Sequence, residues 1–446
     1  MEVAAKRSRA AGGSAPDRLS ALPDDLRRRV LSFLSSRQSV RTTVLSKQWV
    51  DLWRSVPAIN LYSLEFERER KRNNALRKMN DFTSKFLMLH NTECLDVFGL
   101  HIPSYIRYYH PRLDVHRWIP RGIKYQPLVI EIYAHQSVIP CLGSAFHRLK
   151  KLDLSDLSLD HSFSERLNSG CPVLEDLVLD GCSNEFAGGI QSDTLKNLVV
   201  NYCRSDVAVA LVVRAPSSIS VMDDCQFGVS QKGQTILVGS LFNVTSLTLE
   251  GFGATAFLDK ELDNFPTFDD LRTLSLMRCP SSKSDVQKFK ALGRFLQKSP
   301  NLEKLTMQHF WYSEGTERKA LKCDQPFLET VRPVVGPIEF PVLENLRNLF
   351  LNKCDLRDDF RILRHLLQSS PNLETLTVWC CELPEGPAEG KGKAKSRSLN
   401  LVCCQCNKLK STEIIYKKGG KVQELVNFLL DISHSAPENK MTLAKV

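Results

Sequence analysis

Leucine returns along most of the chain in one short frame, Leu-x-x-Leu-x-Leu. The frame is clear at Leu149/Leu152/Leu154, Leu174/Leu177/Leu179, Leu195/Leu198/Val200, Val244/Leu247/Leu249, Leu271/Leu274/Leu276, Leu302/Leu305/Met307, Leu346/Leu349/Leu351 and Leu373/Leu376/Val378, with a weaker copy at Pro216/Ile219/Val221. Inside it apolar and polar residues alternate, the period of a strand with one buried face. Successive central positions are 25, 21, 21, 28, 27, 31, 44 and 27 residues apart. Most of these steps fall in the roughly 20–29-residue range of a stacked leucine-rich repeat. The step of 44 contains an insertion, about Trp311–Phe340, rich in charge and proline.

A second signature precedes the frame. Gly170-Cys-Pro-Val-Leu-Glu-Asp-Leu, Ser299-Pro-Asn-Leu-Glu-Lys-Leu and Ser370-Pro-Asn-Leu-Glu-Thr-Leu read as a turn entering a strand. Helical apolar spacing precedes two of them, at Phe289/Leu292/Phe295/Leu296 and Ile362/Leu363/Leu366/Leu367. Proline cannot continue a helix, so it marks the helix end. Helix, turn and strand form one unit that cannot bury its apolar edge alone, and such units stack into a curved α/β solenoid. Before the explicit repeats, the pattern predicts a helix ending near His90, a strand over Cys94–Ile102, a helix over Val115–Ile123 and a strand over Leu128–Tyr133.

Residues 17–61 have a different pattern. Leu22-Pro23-Asp24-Asp25 starts a helix, and Leu26, Val30, Leu31 and Leu34 make its apolar stripe, with Arg27, Arg28 and Arg29 opposite. Ser35–Gln38 interrupts the run. A second helix is expected with Val40, Val44, Leu45, Trp49, Leu52 and Trp53 as apolar positions. So short a hairpin cannot bury this much apolar surface within itself, and its stripe must face the rest of the chain or another protein.

The stretch "DRLSALPDDLRRRVLSFLSSRQSVRTTVLSKQWVDLWRSVPAINL" resembles an F-box. With the leucine frames behind it, the chain resembles the large plant group that combines an F-box, leucine-rich repeats and a C-terminal FBD segment. Where that group is apolar-rich between Leu-Pro-Asp and Leu-Ser-Phe-Leu, this chain has Arg27-Arg28-Arg29. The tail 399–446 is similar to the FBD segment in part, with a strand, a Lys-Gly-Gly turn and a closing helix that would cover the open end of the solenoid. The resulting expectation is α/β: a helical F-box over 17–61, a curved leucine-rich-repeat solenoid over 62–383 and an FBD-like cap over 399–446. The terminal 1–16 and the low-complexity 384–398 are expected to be flexible.

Composition narrows the function. The formal charge of +10 is concentrated: residues 1–72 hold 15 Lys and Arg against 8 Asp and Glu, and Lys391, Lys393, Lys395 and Arg397 add four more cations. The rest is near neutral, which argues against a nucleic-acid interface and suits an acidic protein partner for the N-terminal hairpin. No run of about eighteen apolar residues occurs, so no membrane span is expected. Fourteen cysteines without framework spacing suit a reducing compartment, and the expected location is nucleus and/or cytoplasm.

Catalytic fingerprints are missing. Gly386–Lys391 imitates a phosphate loop but has three residues between its glycines instead of four, and no Ser or Thr after the lysine. Cys380-Cys381 and Cys403-Cys404-Gln405-Cys406 could be weighed as zinc ligands, but the first pair is adjacent and both groups fall at strand ends. Asn243-Val-Thr245 matches a glycosylation acceptor by chance spacing. No metal or cofactor is expected.

The resemblance implies a non-catalytic, substrate-recognition subunit of an SCF-type (cullin) ubiquitin ligase. Its F-box would dock on a SKP-family adaptor, and through it a cullin, while the repeats hold a target protein. Rival readings are a repeat scaffold without a ligase role and a small-molecule co-receptor. The expected adaptor contacts are Leu22, Pro23, Leu26, Val30, Leu31, Leu34, Leu45, Trp49 and Trp53, of which Leu34 and Leu45 would instead hold the hairpin together. The residues between and after the frame leucines should point outward. On that row the expected target contacts are Asp153, Asp180, Glu250, Gln308, Phe350, Asn352 and Trp379.

Overall fold

The structure is a computed structural model. It describes residues 19, 21–66, 72–102, 114–134, 146–160, 162–184, 190–201, 203–205, 213–214, 218–222, 241, 243–250, 267–278, 292–310, 340–357, 360–383, 406–417, 422–433 and 439–446. The tail 1–16, the low-complexity 384–398 and most of the 311–340 insertion lie outside the described residues. The chain divides into two compact units, Met1–Ile132 and Tyr133–Val446.

In the first unit, helix Asp24–Leu31 opens directly after Pro23. Asp24 and Asp25 occupy its first turn and Arg28 and Arg29 its last, the arrangement that the helix dipole favours. Ser35 caps the next helix, Ser36–Arg41, its Oγ accepting the Gln38 N–H at 3.2 Å. The single second helix expected from the apolar spacing does not form. It breaks into three 3₁₀ turns, Thr42–Val44, Lys47–Trp49 and Leu52–Ser55. Thr42, Thr43 and Val44 are β-branched and lower helix propensity together, and Ser46 is fully extended, with φ −164 and ψ 170. These tight turns fold Trp49 and Leu52 back onto Leu31, with Val56 and Ala58 completing the core and Leu34 and Val97 packed on it.

Strand Ala58–Tyr62 pairs in parallel with Val97–Ile102. Helix Arg72–Leu89 separates them in sequence. Its Phe82 and Phe86 form a ring row with Phe66 before the helix and His90 after it: Phe66 to Phe82 is 5.6 Å between ring centroids, Phe82 to Phe86 5.7 Å and Phe86 to His90 5.4 Å. Trp53 of the hairpin joins this row at Phe86, 5.2 Å away. Helix Val115–Ile123 is where the sequence places it, with Trp118 and Ile119 fully buried. Its Gly122 is required by close approach, because a Cβ there would lie 2.1 Å from the Phe98 ring. Strand Val129–Ala134 follows.

The second unit is built on parallel strands in register. Leu152, Leu177, Leu198, Ile219, Leu247, Leu274, Leu305, Leu349 and Leu376 are Cα partners from strand to strand. All nine are essentially buried, so the expected register and buried face are those of the structure, the weak Ile219 frame included. Each repeat enters its strand through a turn that bonds to its predecessor. The amide Nδ2 of Asn372 donates to Glu344 O at 2.7 Å, that of Asn345 to Pro300 O at 3.2 Å and that of Asn301 to Asp269 O at 2.9 Å. Asparagine just before the first frame leucine, in the Pro-Asn-Leu signature or in Glu344-Asn345-Leu346, therefore stitches these repeats together.

Six of the described strands leave through a residue in the left-handed region. Asp156, Gly181, Arg278, His309, Lys353 and Cys380 have φ of 57, 61, 47, 50, 50 and 45. Their N–H groups donate to the next repeat's last strand residue or the one just before it, for example His309 to Asn352 O at 2.9 Å and Lys353 to Trp379 O at 2.7 Å. Just beyond these turns, buried thiols of Cys182, Cys203 and Cys354 donate to Leu154 O, Leu179 O and Met307 O at 3.3, 3.5 and 3.3 Å. These cysteines fill space and satisfy carbonyls at once.

The C-terminal segment has the expected strand and helix and adds a further strand. Strand Ser411–Tyr416 pairs with Thr375–Trp379, helix Val422–Ser433 follows, and a further strand, Lys440–Lys445, pairs with Ser411–Tyr416. The segment extends the parallel sheet by two strands, because Thr412 and Ile414 take the inward positions that leucine holds earlier. Lys440–Lys445 is mostly exposed.

Candidate functional site

The hairpin separates its apolar residues into two sets. Leu31, Trp49 and Trp53 are buried, at 1%, 3% and 7% exposure. These three expected adaptor contacts are core residues of the first unit, because the 3₁₀ turns fold the tryptophans inward. Leu34 and Leu22 are half-buried and Pro23 is exposed. Leu26, Val30 and Leu45 are exposed, and so are Phe33, Val44 and Val50. Leu45, expected to hold the hairpin together, is instead on its surface. Phe33 lies off the helical stripe, and its signal is apolar character at a position where helix periodicity asks for a polar residue, whereas Val44 belongs to the expected second stripe and is exposed.

The three arginines are also divided. Arg29 is on the surface, near Asp96 at 3.4 Å. Arg27, expected opposite the stripe, is buried. Its Nη2 pairs with Asp24, its Nη1 lies 3.3 Å from both the backbone and side-chain oxygens of Gln48, and its guanidinium sits 5.7 Å from the Trp49 ring centroid. Arg27 thus packs as part of the core.

The outward strand face of the second unit carries two rows, at the third and fifth strand positions. Asp153 and Asp180 stand at its start, both half-buried. Burial first, and then the charges of Asp156 and Asp153, push the Asp180 carboxyl above its ordinary range. This end of the face is acidic. Thr248, Ser275 and Thr306 continue the third-position row. Glu250 differs from its expectation. It is 7% exposed, and its Oε1 lies 3.1 Å from Nε of Arg278. Gln308, Phe350 and Asn352 are half-buried, and Trp379 is 41% exposed beside Asn352 in the register. The residues just past the strands, Arg278, His309 and Lys353, line the same border. They fall outside the frame, so only their place immediately after it could have marked them.

No group of three or more His, Cys, Asp or Glu side chains is gathered as a metal site among the described residues. Of the cysteines weighed for zinc, Cys406 is buried and Cys381 donates to Leu351 O at 3.5 Å, while Cys403 and Cys404 lie outside the described residues. No described helix is long and apolar enough to cross a membrane.

The F-box domain family matches residues 19–59. The chain is similar to the meiotic F-box protein MOF of Oryza sativa subsp. japonica, 29% identical over 371 residues that cover 68% of this chain and 74% of that protein. It is similar to a putative FBD-associated F-box protein of Arabidopsis thaliana, 29% identical over 238 residues, 45% of this chain and 52% of that one. An F-box/LRR-repeat protein of Arabidopsis thaliana is 24% identical over 421 residues, 81% of this chain and 88% of that one. The F-box match coincides with the hairpin and its core, and the leucine frames coincide with the parallel strands. The chain carries an F-box domain and is similar to plant F-box/leucine-rich-repeat and FBD-associated F-box proteins.

Proposed function

We propose that this chain is the substrate-recognition subunit of an SCF-type (cullin) ubiquitin ligase. The observation that carries the reading is the apolar surface left on the F-box hairpin: Leu26, Val30, Phe33, Val44 and Leu45 are all exposed on a segment with its own core. Exposed apolar groups of this density on a small module are a docking surface. The occupant is a SKP-family adaptor, with Leu22 and Pro23 at the helix entry contributing to the contact. The outward strand face holds the target protein, with Trp379 as its exposed anchor. The chain performs no bond chemistry; it raises the local concentration of target lysines near the ubiquitin-loaded enzyme. Its free thiols suit work in the nucleus and/or cytoplasm.

Co-expression with a SKP-family adaptor tests this directly. The wild-type chain is expected to co-purify with the adaptor, and Phe33→Asp with Val44→Asp to abolish co-purification at an unchanged melting temperature. Failure of the wild-type chain to co-purify would favour a repeat scaffold outside any ligase.

A further inference from the structure

We propose that the outward strand face between Met277 and Trp379 takes an extended, acidic peptide segment, its carboxylates against Arg278, His309 and Lys353 and an apolar side chain against Trp379. The inference rests on the reading of this face as the target site and names the chemistry of what it takes.

Three cationic or ionisable side chains occur at the same place in three successive repeats, each one residue past its strand and each in the left-handed region. Neighbouring strands stand about 4.8 Å apart, so the row spans about 10 Å. An extended peptide rises about 3.4 Å per residue, and acidic groups three residues apart match that span. Arg278 and Lys353 are exposed and His309 half-buried. Two described carboxylates nearby are already engaged, while Glu413 stands exposed on the strand beyond Trp379. Glu250 is buried against Arg278, and Asp355, at 1% side-chain exposure, is held by Arg357 at 2.7 Å. Arg278 is shared with Glu250, so the exposed Lys353 would meet an acidic ligand most directly, with Arg278 and His309 beside it. Beside the row, Trp379 offers an exposed ring with Asn352 on one side and Ile415 on the other in the register.

The opposite end of the same face excludes a long polyanion. Asp153, Asp156 and Asp180 sit close enough together to disfavour ionisation of Asp180. A nucleic-acid strand following the face would run into that acidic end, whereas a peptide can be acidic at one end only.

His309 adds a signature. Burial first, and then Lys353 and Arg278, lower its pKa, against the opposite pull of Glu250. A ligand carboxylate would offset the two cations and favour the protonated ring. Binding then takes up a proton and tightens as the pH falls through the histidine range.

The test is an array of short synthetic peptides graded in net charge and aromatic content, probed with the purified full-length chain bound to its adaptor. The expected result is retention by peptides with two or three acidic residues around an aromatic one. Retention should weaken roughly tenfold in His309→Asn combined with Lys353→Asp, as expected for loss of charge complementarity. Asn and Asp enter the left-handed region readily, so this variant should melt with the wild type. In His309→Asn alone the pH dependence should vanish. Selection of neutral or basic peptides, undiminished retention by the double variant, or preferential binding of a single-stranded oligothymidylate would overturn the inference while leaving the face a binding site. Retention of no peptide at all, with adaptor binding intact, would overturn the target-site reading as well.

Discussion

Arg27 lies against Trp49, its guanidinium carbon 5.7 Å from the ring centroid, and reaches Asp24 and Gln48 on either side. A cation buried over an aromatic face, with its N–H groups directed at oxygens, is part of a core rather than a solvent-facing charge. Arg27→Ala should destabilise the first unit by about 1–2 kcal/mol, whereas Arg29→Ala, at an exposed site, should be close to neutral. Urea unfolding of the two variants side by side checks this. Equal effects would show that Arg27 is a surface charge like its neighbour.

The hairpin's two sets of apolar residues should separate under mutation. Leu26→Ala and Phe33→Ala are expected to weaken adaptor binding, by about 2 kcal/mol where the side chain fills a pocket, without a change in melting temperature. Trp49→Ala should instead unfold the first unit, at a cost of roughly 3–5 kcal/mol. Titration of labelled adaptor together with thermal melts distinguishes the two outcomes. A folded Trp49→Ala chain that had lost the adaptor would place that ring on the docking surface.

On the strand face, neighbours in the sheet should behave oppositely. Trp379→Ala should change the melting temperature little, since the ring is 41% exposed. Leu349→Ala, fully inward, should cost about 3 kcal/mol. Phe350→Ala, half-buried, is expected between them and to weaken target capture. A Trp379→Ala loss as large as that of Leu349→Ala would mean the ring is covered.

His90 makes the first unit sensitive to acid. Burial, and secondarily the charge of Lys124, push its pKa down from 6.5 to about 4. Its ring stacks on Phe86 and meets Tyr125 edge-on at 5.7 Å. A folded-state pKa below the unfolded value means that the unfolded chain takes the proton first. The stabilising contribution is complete above pH 6.5 and is lost as the pH falls towards 4, on the order of 3 kcal/mol in full. Melting temperature measured against pH should therefore fall across that window in the wild type and fall less in His90→Phe. Parallel curves would show that another group controls acid stability.

Gly122 is fixed by contact with Phe98. Gly122→Ala should destabilise by about 1–3 kcal/mol, although alanine is the better helix former. Pairing it with Phe98→Leu should recover part of the loss. A stabilised Gly122→Ala single variant would show that the Phe98 ring moves aside freely.

The leucine frames were readable because burial in a parallel stack depends on alternation alone. Even Ile219, in the weakest frame, sits in the row that its spacing indicates. The hairpin was less readable. Helical periodicity carried from Val40 to Trp53 makes a plausible stripe, but it cannot show that three β-branched residues and an extended Ser46 break the helix. The fate of the tryptophans, and with it the division between docking surface and core, followed from that break. Glu250 was assigned to the surface by position, and its pairing with Arg278, one residue outside the next frame, is a three-dimensional fact that periodicity does not contain. The pairing of the C-terminal strands is less legible, because their frame uses Thr412 and Ile414 in place of leucine.

Strand pairing in the second unit has a consequence for the order in which it forms. Each strand of the main sheet from Lys151–Ser155 to Lys440–Lys445 pairs with the described main-sheet strands next to it in sequence, never with a distant one. Structure in such an array spreads outward from whichever pair closes first. The connection between Lys304–Gln308 and Asn348–Asn352 is the longest between consecutive frames, and closing it costs a few tenths of a kcal/mol more than closing an ordinary repeat. Growth should slow at that step. Arg278 and His309 lie on one side of it and Lys353 and Trp379 on the other, so the basic row is absent from any partly folded chain that has not yet crossed the gap, and such an intermediate would be unable to capture a target.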